Sequence, residues 1–321
     1  MLILILKIIF GFGLLLVGGE VLVRGSVAVA KAMGLSSLVI GLTVVAFGTS
    51  SPELVVSVQS SLAGYPDIAL GNVIGSNISN IMLVLGATAL IYPIAAEKGL
   101  AEFDGILMLL FTVVMVIFCI TGKELVLWEG IVMFLLLVVY IILAFKKAYK
   151  EKWQTPDHQV SEVEEQIDVE LKLWHAIAFV VVGIGLLVFG ADTLVTGAVG
   201  VAEFFEIPQS VIGVTVVAIG SSAPELATCA VAAWRKHSDI AIGNVVGSNI
   251  FNIAGIMGIT ALISPVTVNP NYLRVDLWIL VAVSVILWLL MKFGRRVSRV
   301  SGGLFLAGYI GYVAYQYVAV S

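Results

Sequence analysis

Residues 40–93 align with residues 212–265 at a constant offset of 172, without a gap, and 29 of the 54 positions are identical. A match this dense between two stretches of one chain marks a duplication, so any fold must build the same local structure twice. Each copy is an apolar run interrupted by one polar block, Gly48-Thr49-Ser50-Ser51-Pro52-Glu53 in the first and Gly220-Ser221-Ser222-Ala223-Pro224-Glu225 in the second. Proline removes a backbone donor and clashes with the carbonyl four residues earlier, here Gly48 and Gly220, so each run is expected to bend or unwind there.

The surroundings of these blocks decide what they mean. Hydrophobic residues make up 60% of the chain and charged ones 12%, against roughly a quarter charged in a soluble domain, and the mean hydropathy is +1.10. An all-α integral membrane protein follows. The net charge of −4 offers nucleic acid no basic domain. At about 20 apolar residues per crossing, ten spans are expected at 2–22, 38–62, 68–92, 103–121, 126–145, 174–195, 210–233, 239–263, 273–291 and 301–320. The apolar start lacks a basic leader and a small-residue cleavage site, and reads as a first span.

Three segments result: a first five-helix repeat at 1–145, a linker at 146–173, and a second five-helix repeat at 174–321. The linker carries Lys146, Lys147, Lys150 and Lys152, then Glu162, Glu164, Glu165, Asp168 and Glu170, and reads as a solvated connection without a calcium-binding loop pattern. With the linker in the cytoplasm, 14 of the 17 Lys and Arg residues fall inside and only Lys7, Lys123 and Arg274 outside; both termini are then outside. Five spans is an odd number, so the second copy is inserted upside down. The loops agree, because uncharged Gly64-Tyr65-Pro66 joins the helices of one copy and Arg235-Lys236-His237 those of the other. Inverted repeats with broken core helices build a shared midplane site and supply two related conformations, the structural logic of alternating access.

A carboxylate near the bilayer centre costs roughly 2.5 kcal/mol or more and is rarely left there without a task. Glu53 and Glu225 have no basic residue in their spans. At helical spacing, Thr49 and Ser50 crowd the region of Glu53, and Ser221 and Ser222 that of Glu225. The partner motifs Gly75-Ser76-Asn77-Ile78-Ser79-Asn80 and Gly247-Ser248-Asn249-Ile250-Phe251-Asn252 place Ser76 with Asn80, and Ser248 with Asn252, four residues apart on one face. Every candidate ligand is an oxygen, which suits calcium or sodium and not zinc or copper. Two glutamates balance one divalent or two monovalent ions. The glycines Gly41, Gly71, Gly75 and Gly86 read as helix-packing positions. Cys119 and Cys229 read as buried small hydrophobes. Glu20 and Asp192, also 172 apart, read as capping or interfacial residues near the ends of spans one and six, with an ion entry path as the alternative.

The four blocks, in register, closely resemble the two alpha-repeats of the calcium/cation antiporter superfamily, and the likeness to its prokaryotic sodium/calcium exchangers covers the whole chain. The resemblance implies a ten-helix exchanger in a prokaryotic plasma membrane, with spans two, three, seven and eight around a diamond of cation sites and spans one and six moving across them. It implies further that Glu53 and Glu225 hold calcium and neighbouring sodium, that the carbonyls of Ala46 and Ala218 with Thr49, Ser50, Ser221, Ser222, Ser76 and Ser248 complete the calcium and outer sodium positions, and that Asn80 and Asn252 line the centre. Ser221 stands where threonine is common. Asn252 stands where some relatives carry aspartate, which argues against potassium dependence. Calcium and sodium are substrates here, and no resident cofactor is implied.

Sodium-for-calcium exchange is therefore the expected function. Proton-coupled calcium export is the alternative, disfavoured because that branch usually shows Gly-Asn-x-x-Glu around the acid. An intramembrane hydrolase would need aspartates in settings absent from this chain, and a passive channel would need no inverted pair of broken helices. Two pseudo-symmetric halves complete a site within a monomer, so no dimer is required.

Overall fold

The structure is a computed structural model that describes residues 1–96, 99–122, 124–154, 172–205 and 218–320. Its helices are α1 (Leu2–Met33), α2 (Ser37–Thr49), α3 (Ser51–Leu62), α4 (66–91), α5 (Leu100–Thr121), α6 (Leu127–Gln154), α7 (Leu173–Phe204), α8 (Ala218–Ser221), α9 (Ala223–Trp234), α10 (Ser238–Ile263), α11 (Tyr272–Gly294) and α12 (Arg299–Val320). Among the described residues seven helices are long and apolar enough to cross a membrane, and the pair α2–α3 makes an eighth as a broken span. The shorter α9 and the less apolar α12 take the places of the expected seventh and tenth spans.

Two helices outrun their expected ends. α1 continues to Met33 instead of stopping near 22, and α7 to Phe204 instead of 195. Nothing breaks α1 before Gly34, whose left-handed backbone (φ 62°, ψ 39°) turns its N–H back onto the Ala30 and Lys31 carbonyls. Glu20 and Asp192 consequently lie well inside these helices and not at their ends. α6 likewise runs on to Gln154, so the lysines expected in a linker begin as helix. The acidic stretch from Glu162 to Glu170, Lys98, Lys123 and the first third of the expected seventh span, residues 210–217, lie outside the described residues.

The inversion of the halves can be read from two short ribbons. Strand β1 (Ile94–Ala95) pairs antiparallel with β4 (Arg296–Val297), and β2 (Glu124–Leu125) with β3 (Val266–Thr267). Adding 172 turns β1 into β3 and β2 into β4, and the pair Ile94 with Val297 becomes Val266 with Leu125, as observed. One operation therefore exchanges both halves and both ribbons. Because α5 runs its 22 residues, about 33 Å, between β1 and β2, the ribbons lie at opposite ends of the molecule, and the exchange turns it upside down.

Burial separates core from periphery. The membrane windows of α4 and α10 are 72% and 83% buried, against 22% to 44% for α1, α5, α6, α7 and α11. α1 and α7 pack along one another through glycines seven apart, Gly11, Gly18 and Gly25 against Gly183, Gly190 and Gly197. At Gly183 the backbones approach so closely that an added Cβ would lie 2.6 Å from the Leu22 nitrogen. Across the molecule Gly86 meets Gly302, and Gly130 meets Gly258, the same contact in each half.

Candidate functional site

The first polar block breaks its helix as its chemistry requires. α2 ends at Thr49 and α3 starts at Ser51 with a 43° change of direction, and Pro52 occupies the first turn of α3, where its missing donor costs nothing. Between them Ser50 adopts φ −86°, ψ 7°; in the second copy Ser222 adopts φ −87°, ψ 7°. Two stretches of different sequence thus reach one backbone solution. Around the break, Ser51 Oγ donates to the Phe47 carbonyl at 2.8 Å, and the Ser50 N–H keeps the Ala46 carbonyl at 3.1 Å while also turning to the Gly48 carbonyl, which Pro52 leaves without its usual donor. The second lone pair of the Ala46 carbonyl is met by Thr49 Oγ1, at a long 3.5 Å.

The partner helices carry a feature that apolar periodicity does not disclose. α4 widens into a π turn at Asn80–Val84 and α10 into another at Phe251–Ile256. Four further π turns, at Gly41–Val45, Leu100–Asp104, Tyr272–Asp276 and Leu290–Gly294, occur among the described residues, so the turn alone does not mark the site. Those of α4 and α10 begin at the asparagine motif of each copy. α10 also presses on α2 beside the break, since a Cβ on Gly247 would lie 2.4 Å from the Leu42 carbonyl oxygen.

Thr49, Ser50, Glu53, Ser76, Asn80, Ser222, Glu225, Ser248 and Asn252 are all buried, none more than 4% exposed. Ser221 is half-buried on α8, which Ala218 begins. The two copies interlock. Ser50 Oγ donates to Glu225 Oε1 at 3.0 Å, Thr49 Oγ1 to Asn244 Oδ1 at 3.1 Å, and Asn80 Nδ2 to Asn249 Oδ1 at 3.2 Å. Glu225 lies near enough to Glu53 for their charges to repel. Among the described residues no Lys, Arg or His forms an ion pair with either glutamate.

Buried polar atoms ordinarily find partners. Among the described residues, Glu53 Oε2, Glu225 Oε2, Ser76 Oγ, Ser222 Oγ, Asn80 Oδ1 and both amide atoms of Asn252 have none, as is also true of Asn77 Oδ1 and of the hydroxyls of Ser26, Ser61, Ser79, Thr228 and Ser284. The carboxylate and amide oxygens in this set all belong to the repeated motifs. No group of three or more His, Cys, Asp or Glu residues stands together among the described residues. The donors that converge are carboxylate, hydroxyl and amide oxygens, a set for a hard cation.

Sequence reasoning passed over a second tier of side chains. Asn72 Nδ2 donates to Ser57 Oγ at 2.9 Å and to the Glu53 carbonyl at 3.2 Å, while its mate Asn244 donates to Cys229 Sγ at 3.3 Å. Asn77 Nδ2 donates to the Val73 carbonyl at 2.6 Å. Cys229 is buried as expected and is also an acceptor. The available signal was the repeat itself, because Ser57 and Cys229, Asn72 and Asn244, and Asn77 and Asn249 are all 172 apart. Glu20 proves to be an ion-pair partner of both Arg24 and Arg235, tying α1 to the end of α9.

The profile of the sodium/calcium exchanger protein family matches residues 3–146 and again 175–318, two stretches related by the same offset of 172. This chain belongs to that family. Sodium/calcium exchanger MaX1 of Methanosarcina acetivorans is 34% identical over 96% of this chain and 97% of its own. The inner membrane protein YrbG of Escherichia coli K12 is 34% identical over 97% and 95%. A solved structure of the sodium-calcium exchanger NCX_Mj, soaked with sodium and strontium, superposes with a TM-score of 0.83 at 32% identity, over 98% of each chain. Members of the exchanger family are transporters, and this multi-pass membrane protein is a transporter and not an enzyme.

Proposed function

We propose that the protein exchanges sodium for calcium across a prokaryotic plasma membrane by alternating access. One observation carries this reading above the others: two buried glutamates from repeat-related helices have no basic partner among the described residues, and stand with hydroxyl and amide oxygens that have no partner there either. The names of MaX1 and NCX_Mj support the pairing of the two ions. In this reading Glu53 and Glu225, with Thr49, Ser50, Ser76, Ser221, Ser222, Ser248, the carbonyls of Ala46 and Ala218, and the amides of Asn80 and Asn252, hold either one calcium or the sodium ions that replace it.

Competition then couples the fluxes. Calcium or sodium neutralises the glutamate pair, and the neutral protein can exchange the conformations of its two halves. The empty, doubly charged site resists that passage because bare carboxylates are costly in the membrane. The linker at 146–173 joins repeats 1–145 and 174–321 on the cytoplasmic side, the termini face outward, and a monomer suffices.

Reconstitution in sodium-loaded liposomes, followed by dilution into sodium-free buffer with calcium, tests this. Calcium uptake that requires internal sodium and disappears in Glu53→Gln is expected. Uptake driven equally by a proton gradient in potassium-loaded vesicles would assign the protein to proton-coupled export, and calcium flux indifferent to both gradients would overturn exchange altogether.

A further inference from the structure

We propose that Asn244 is a positioning residue of the cation site, an acceptor that turns hydroxyl groups of both repeats so that their lone pairs face the ion. The inference rests on the functional reading above, in which Thr49 and Ser248 are ligands.

Asn244 is fully buried on α10 and belongs to no motif position that carries charge. Its Oδ1 accepts Thr49 Oγ1 at 3.1 Å and Ser248 Oγ at 3.4 Å, while its Nδ2 donates to Cys229 Sγ at 3.3 Å. One amide therefore joins α2 of the first repeat with α9 and α10 of the second. A hydroxyl has a single proton and two lone pairs. When the proton is committed to Asn244, both lone pairs remain for a cation; when it is not, the proton itself can point at the cation and repel it. Thr49 Oγ1 also lies 3.5 Å from the Ala46 carbonyl and within reach of the Glu225 carboxylate, but Asn244 Oδ1 at 3.1 Å is nearer than the carbonyl. Asn244 gives the Thr49 proton a neutral acceptor, which leaves the carboxylate oxygens for the ion. Cys229, which passes its own proton to the Ala241 carbonyl at 3.5 Å, holds the amide in the orientation that presents Oδ1 and not Nδ2 to the hydroxyls.

The first repeat handles the same position differently. Asn72 is half-buried, and its Nδ2 is spent on Ser57 and on the Glu53 carbonyl, while the Ser76 hydroxyl, the mate of Ser248, has no partner among the described residues. Positioning by a central amide is thus built into the second repeat and reaches across to Thr49.

A double-mutant cycle tests the role, with the concentration for half-maximal calcium uptake and the maximal rate measured separately in liposomes. Asn244→Leu removes the acceptor at nearly constant volume and is expected to raise the half-maximal calcium concentration about tenfold, with a smaller change in maximal rate and an unchanged melting temperature. In a Thr49→Val background the same substitution is expected to add only the share due to Ser248, because the Thr49 hydroxyl is already gone. Asn244→Gln, which keeps a neutral amide with its acceptor oxygen and donor nitrogen, is expected to restore part of the affinity. Asn244→Ala replaces the leucine variant where leucine does not fold. Purely additive effects of Asn244→Leu and Thr49→Val, or an unchanged calcium concentration dependence in Asn244→Leu, would overturn the proposal. Glu53→Gln runs alongside: if it leaves uptake intact, the exchanger reading fails first, and the Asn244 result is then judged by direct calcium binding to the purified protein, where the same tenfold loss is expected.

Discussion

Ser50, in the break of the first repeat, donates its hydroxyl to the Glu225 carboxylate of the second at 3.0 Å. The bond crosses the pseudo-twofold relation between the halves, so the site exists only when both are assembled. Glu225→Gln removes one of two charges that a divalent ion must balance, and calcium uptake is expected to fall to background. Ser50→Ala leaves both charges in place and removes one donor, so a loss of about tenfold in apparent calcium affinity is expected. Flux assays at graded calcium distinguish the two outcomes. An Ser50→Ala variant as inert as Glu225→Gln would mean that the hydroxyl itself, and not the charge pair, dominates binding.

The 43° break between α2 and α3 depends on a proline that cannot bond to the Gly48 carbonyl. Pro52→Ala supplies the missing N–H and removes the ring clash. The helix is expected to straighten, with transport reduced more than tenfold while the melting temperature holds or rises. Pro224→Ala in the second repeat is expected to behave alike, because Ser222 shares the backbone angles of Ser50. Transport that survives either change would show that the break is held by packing alone.

Glycines of the α1–α7 seam differ sharply from those facing outward. A side chain at Gly183 would meet Leu22 backbone at 2.6 Å, and one at Gly11 would lie 2.6 Å from the Leu194 nitrogen; around Gly13 and Gly185 nothing stands within 4 Å. Gly183→Val is expected to cost at least about 3 kcal/mol through forced separation of the helices, seen as loss of monodisperse protein after detergent extraction. Gly13→Ala, by contrast, is expected to stabilise by about 0.5–1 kcal/mol, since alanine loses less backbone freedom in a helix.

Away from the site, one buried acid recurs with different company. Asp104 accepts the Tyr140 hydroxyl at 3.1 Å and faces Lys147 Nζ at 3.6 Å; its mate Asp276 accepts Tyr312 at 2.8 Å and is bonded by Gln316. The tyrosines keep the offset of 172, but Ala319 stands at the position of Lys147. Among the described residues, Asp104 thus faces an ammonium, whereas Asp276 is met by hydrogen bonds without a cation. Lys147→Met strands a carboxylate and is expected to cost about 2 kcal/mol, less than a fully enclosed pair because the ammonium is partly exposed. Adding Asp104→Asn is expected to recover most of the loss in thermal unfolding. A double variant no better than the single one would show that the lysine acts through its stacking over Phe103 instead.

Much of this was legible without coordinates. The helical membrane class, the order of the spans, the inverted duplication and the two breaks follow from properties that are local along the chain: apolar length, proline position and an offset that needs no gap. The ends of α1, α6 and α7 were misjudged for a related reason. Hydropathy reports where a helix leaves apolar surroundings, whereas a helix stops only where a residue such as Gly34 turns the backbone.

By itself, the sequence determined which residue types are repeated and hence that Glu53 and Glu225, with their hydroxyl and amide neighbours, form matched sets. Only the tertiary structure decided which of them meet. That Ser50 bonds Glu225, that Asn244 gathers Thr49 and Ser248, that Asn252 is left without a partner while Asn80 is held by Asn249, all depend on how two inverted halves are packed against each other. An exact offset makes the halves equivalent in chemistry; packing through unequal side chains, Ser57 against Cys229 among them, makes them inequivalent in space.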